Sequence, residues 1–122
     1  MTTFNVEIVL KGRDVAVTEE VSVPHGAPTT WDAPAVRDVL VEILRAIGHA
    51  GDPAGTDGRG VILQGFSWIV EPVGEGVVIA IEIPMGAAVA GPFAVRGEQL
   101  DALITEVLKA ERSLAATVST VH

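Results

Sequence analysis

The stretch Val61-Ile-Leu-Gln-Gly-Phe-Ser-Trp-Ile-Val-Glu71, followed by Pro72-Val-Gly-Glu-Gly76 and then Val77-Val-Ile-Ala-Ile-Glu-Ile-Pro84, decides the fold class. Two runs rich in β-branched and aromatic residues flank a Gly/Pro-containing turn, which predicts a long β-hairpin. Its hydrophobicity predicts that it lies at the centre of the sheet. Ile62, Gln64, Phe66, Trp68 and Val70 share one side of the first strand, and Val61, Leu63, Gly65, Ser67 and Ile69 the other. On the second strand Val77, Ile79, Ile81 and Ile83 oppose Val78, Ala80 and Glu82. Both faces are thus largely apolar, and both need cover.

Working outward toward the N-terminus, Phe4, Val6, Ile8 and Leu10 alternate with Asn5, Glu7, Val9 and Lys11, the period of a strand with one buried face. Lys11-Gly-Arg-Asp14 reads as a turn, and Val15, Val17, Val21 and Val23 return on a second strand, with Ile8 opposite Val17 and Leu10 opposite Val15. Glu19 falls on the apolar side of that strand. A bulge near Thr18–Glu20, or a strand running past the edge of the core, would relieve it. Pro24-His-Gly-Ala-Pro-Thr-Thr30 is a connecting loop.

Asp32 is placed to cap a helix, or Ala33 with Pro34 at the first helical position; with Asp32 as the cap, Trp31 and Val36 take the positions of a hydrophobic staple. Val36, Val39, Leu40, Ile43, Leu44 and Ile47 form one apolar stripe, which Gly48 is expected to end as a left-handed cap. The glycine-rich Gly48–Gly60 stretch reads as a long loop joining this helix to the hairpin. Beyond the hairpin, Met85–Pro92 reads as a small apolar excursion at the sheet edge, and Phe93-Ala-Val95 as a short extra strand. Leu100, Leu103, Ile104, Val107 and Leu108 mark a second amphipathic helix, with Lys109 and Arg112 near its end. The expected architecture is a two-layer α+β sandwich in ββα-ββα order. An antiparallel sheet of four or five strands carries both helices on one face. Residues 1–112 form the single domain and 113–122 a C-terminal tail.

The 122 residues suit one domain, able to bury roughly two-thirds of the surface of its unfolded chain. Sixteen acids against eight bases give a net charge of −8, with the bases scattered. Nucleic acid and anionic membrane surfaces, which attract concentrated Lys/Arg, are therefore not expected partners. With no cysteine, thiolate chemistry, disulfides and Cys-ligated zinc are excluded. The first residues lack the basic and apolar regions of a signal peptide, so a cytoplasmic location is the expectation.

No catalytic constellation, metal motif or cofactor is expected. Ser67, in Gly65-Phe-Ser-Trp68, lacks the glycine that a nucleophile elbow places after its serine. The Gly51–Gly60 glycines lead from helix to strand, the reverse of a phosphate loop. The leading functional expectation is a non-enzymatic, acidic protein-interaction or regulatory module. It would self-associate as a homodimer through the uncovered sheet face or the tail. A basic protein partner could bind at Glu71, Glu75 and Glu82, joined by Glu19 and Glu20 in one acidic patch. The alternative is a small enzyme or ligand-binding protein whose site is made by His25, Trp31, His49 and Asp52 where two loops meet.

Overall fold

The computed structural model describes residues 1–51, 66–84 and 86–119, with side chains of the last helix described as far as Arg112. The elements in chain order are β1 (Thr2–Leu10), β2 (Val17–Val23), α1 (Ala33–Gly51), β3 (Ser67–Val73), β4 (Gly76–Ile83), β5 (Gly86–Phe93) and α2 (Gly97–Ser119). The strands form one antiparallel five-stranded sheet in the order β2-β1-β5-β4-β3, and the fold is α+β with two layers. Among the described residues, no helix is long and apolar enough to cross a membrane.

Alternation in sequence becomes burial on one face. Phe4, Val6, Ile8 and Leu10 of β1, Val21 and Val23 of β2, Val77, Ile79 and Ile81 of β4 and Ala88 and Ala90 of β5 are buried in one core cluster. From the helices, Val36, Val39, Leu40, Ile43 and Ile47 of α1 and Leu100, Ile104 and Val107 of α2 complete it. The Phe93 ring meets Phe4 and Trp31 edge-on at 5.0 and 5.3 Å, a geometry favoured by the ring quadrupoles. Asp32 caps α1 as expected, its Oδ1 accepting from the Ala35 amide at 3.0 Å.

Four expectations are corrected. The Val61–Pro84 hairpin is not the sheet centre: β3 is an edge strand and β5 lies in the middle. The segment expected to be an excursion is that central strand, so the order is ββα-βββα, and Val95 belongs to the link before α2. Small residues suit β5 to this place. Ala88 and Ala90 let α1 approach, and a Cβ at Gly86 would lie 2.5 Å from the Val9 carbonyl oxygen. Where Val77 opposes Phe93 and Ile79 opposes Ala90, the register shifts. Gly91 supplies the φ of 123° at that bulge.

Second, α1 does not stop at Gly48 but continues to Gly51, because Ala50 is buried in the core. His49 is consequently a helical residue, not a loop residue. Third, of the two readings for Glu19 the bulge does not occur, since the β1–β2 ladder is continuous from Thr2 opposite Val23 to Ile8 opposite Val17. The other holds, with Glu19 on the helix side opposite Val6 where β2 runs past the edge of the core and Val17 is exposed. The expected Leu10–Val15 pair lies beyond that ladder, and Val15 is exposed. Fourth, α2 runs on to Ser119, through most of the expected tail, and Lys109 and Arg112 sit within the helix and not in its last turn. Residues 61–65 of the hairpin and most of the Gly48–Gly60 stretch lie outside the described residues.

Candidate functional site

The loop between β2 and α1 is pinned. Gly26 offers its carbonyl to the Trp31 indole N–H at 2.9 Å and to the Thr2 hydroxyl at 2.6 Å. His25 Nε2 lies 2.8 Å from Asp38 Oδ2 on the second turn of α1. Trp31 is 5% exposed and belongs to the core. At the other end of α1, His49 Nδ1 lies 2.8 Å from Glu19 Oε1 on β2. That partner accounts for a carboxylate on the apolar side of a strand, since a half-buried charge needs one.

α1 keeps the two histidines apart. Their contacts fall at Asp38 and His49, eleven positions along the helix, which is about 16 Å at 1.5 Å per residue. Asp52 lies outside the described residues. His49 and Glu19 line an open cleft of about 340 Å³ together with Glu42 and Arg45, which pair with each other at 2.7 Å. Among the described residues, no three His, Asp or Glu side chains are grouped to hold a metal ion.

The larger feature is the sheet face opposite the helices. Register places Thr18, Glu7, Val89, Ala80 and Ile69 in one row crossing all five strands. The next row is Val9, Ala87, Glu82 and Ser67. Val9, Ile69, Val73 and Val89 are 45, 52, 49 and 44% exposed, so the apolar half of this face is open. Val78, on the same face, is buried but lies outside the core cluster.

The expected acidic residues are distributed around that face, not gathered. Glu82 lies opposite Ser67, and Glu71 is four residues further along β3, about 13 Å away at the strand rise. Glu75 is in the β3–β4 turn, Glu20 faces outward on β2, and Glu19 turns to the helices. Glu7 and Val89 escaped sequence reasoning: only the identity of β5 as a central strand brings them beside Ala80 and Ile69. Comparisons of the chain with protein-family models, with curated proteins and with solved structures find no match.

Proposed function

We propose that the chain is a non-enzymatic protein-interaction module whose docking surface is the outer face of the sheet. The observation that carries this reading is the in-register row Val89–Ala80–Ile69, open on the side the helices leave uncovered. A contiguous apolar strip rimmed by polar and charged groups is the usual composition of a contact surface. Self-association through this face is one form of the proposal and a different protein the other; a cytoplasmic setting goes with both. A joint His25–His49 ligand site has less support, because the two side chains are engaged by separate carboxylates at opposite ends of α1.

Sedimentation velocity at micromolar concentration reports self-association, and proteins retained from native extract by the immobilised chain report other partners. Whichever signal is present should be lost in the variant carrying Ile69→Ser and Val89→Ser. Assembly or retention that survives those substitutions sinks the reading.

A further inference from the structure

We propose, resting on the docking reading above, that the outer sheet face receives a cationic amphipathic helix of a partner protein. The strip it offers is narrow. Val89, Ala80 and Ile69 form its axis, Glu7 closes one end, and Glu82 and Glu71 stand on opposite flanks. The complement of such a strip is a single apolar stripe with Lys or Arg on both sides. Long basic side chains can lay their stems over Val9 and Val73 while their heads reach the carboxylates.

Among the described residues the strands carry only acids on this face, and Lys11, next in the outward series after Val9, stands just past the end of β1. Glu7, Glu20, Glu71 and Glu82 occupy outward strand positions, and none of the described bases does. Lys11 and Arg13 lie between β1 and β2, Arg37 and Arg45 on α1, Arg96 in the link before α2, and Lys109 and Arg112 on α2. A second copy is the poorer occupant. Face-to-face packing would bring both sets of carboxylates into a layer about 10 Å thick with no base on the described strands of either copy to pair them. Anionic lipid is repelled by the same groups.

The dimensions suit a helix. From Val89 to Ile69 the apolar row crosses two inter-strand steps of about 4.8 Å, roughly 10 Å in all, and Glu7 stands one step beyond. Two turns of helix, about seven residues, cover that length, presenting apolar side chains at three- and four-residue spacing to the strip, and one further turn brings a basic side chain to Glu7.

The probe for the test is a synthetic Leu/Lys peptide with leucines at helical spacing. A peptide of the same composition in scrambled order controls for bulk charge. Titrated into the full chain at about 50 mM salt, the ordered peptide should shift the amide resonances of Val9, Ile69 and Val89. It should bind about tenfold more tightly than the scrambled one. The triple variant Glu7→Gln, Glu71→Gln, Glu82→Gln and the double variant Ile69→Ser, Val89→Ser should each weaken binding about tenfold, with circular dichroism unchanged. The triple variant should also flatten the salt dependence. Equal affinity for the scrambled peptide, or shifts confined to the helices, overturns the inference. A dimer that the double variant dissolves and the peptide does not displace also overturns it, while leaving the docking reading standing. Neither peptide shifts nor any assembly sensitive to Ile69 and Val89 defeats both.

Discussion

His49 on the last turn of α1 and Glu19 on the edge strand β2 meet at 2.8 Å, thirty residues apart in sequence. The contact ties the end of the helix to one of the two edge strands, each of which pairs with a single neighbour. His49 is 60% exposed at its side chain and Glu19 25%, so solvent screens the pair and its worth is modest. A double-mutant cycle with His49→Ala and Glu19→Ala, read by urea unfolding, should give a coupling of about 0.2–1 kcal/mol. A coupling well above that range would mean that the pair organises more of α1 than its exposure implies.

The two faces of the sheet should respond differently to the same truncation. Ile79, fully buried beneath the helices, should cost about 2–5 kcal/mol when replaced by alanine. Ile69, on the open face, should cost less than about 1 kcal/mol. Equal losses in chemical unfolding would show that something covers the outer face in the isolated protein.

At Gly86 an added methyl group would overlap the backbone of β1, 2.5 Å from the Val9 oxygen and 3.0 Å from Leu10 Cα. Neither atom is the mobile end of a side chain. Gly86→Ala should therefore lower stability by about 1–3 kcal/mol. A melting temperature matching wild type would show that β5 can shift away from β1 at little cost.

Asp32 provides the other local test. Its carboxylate holds the Ala35 amide, and replacement by alanine should cost about 0.5–2 kcal/mol, whereas asparagine should recover most of the loss. Thermal unfolding that ranks Asn with Ala would indicate that the charge at the helix N-terminus, not the hydrogen bond, is what matters.

Alternation made β1 and β2 legible because their large residues fall mostly on one side, as Phe4, Val6, Ile8 and Leu10 show, and β4 was legible as an unbroken β-branched run. β5 was not legible. Gly86-Ala-Ala-Val-Ala-Gly-Pro-Phe93 has the composition of a loop, and its place depends on what surrounds it: a helix above and two strands whose backbones come close. The end of α1 was misread for a related reason. Gly48 is a natural stop, but burial of Ala50 and the Glu19 contact of His49 carry the helix through it. Of the candidate site residues, Trp31 gave its core role away through its staple position. The partners of the histidines lie thirteen and thirty residues off and leave no local trace. Outward alternation of Ile69, Glu71, Ala80 and Glu82 was readable, but not their alignment with Glu7 and Val89.

The last strand of the chain is the one that joins the two halves of the sheet. β1 and β2 can pair as soon as both are made, and so can β3 and β4, but each pair presents an unsatisfied ladder until β5 arrives between them. The contacts that close the gap link Asn5 to Gly91 and Leu10 to Gly86, among the longest sequence separations in the fold. During synthesis the early hairpin therefore waits, with its inner edge unpaired, until Phe93 has emerged. Open strand edges are templates for mispairing with other chains, and long-range closure is slow. A version of the chain stopped at Pro84, which lacks α2 as well as β5, should accordingly gather into aggregates, and a synthetic copy of 86–112 supplied in trans should suppress them.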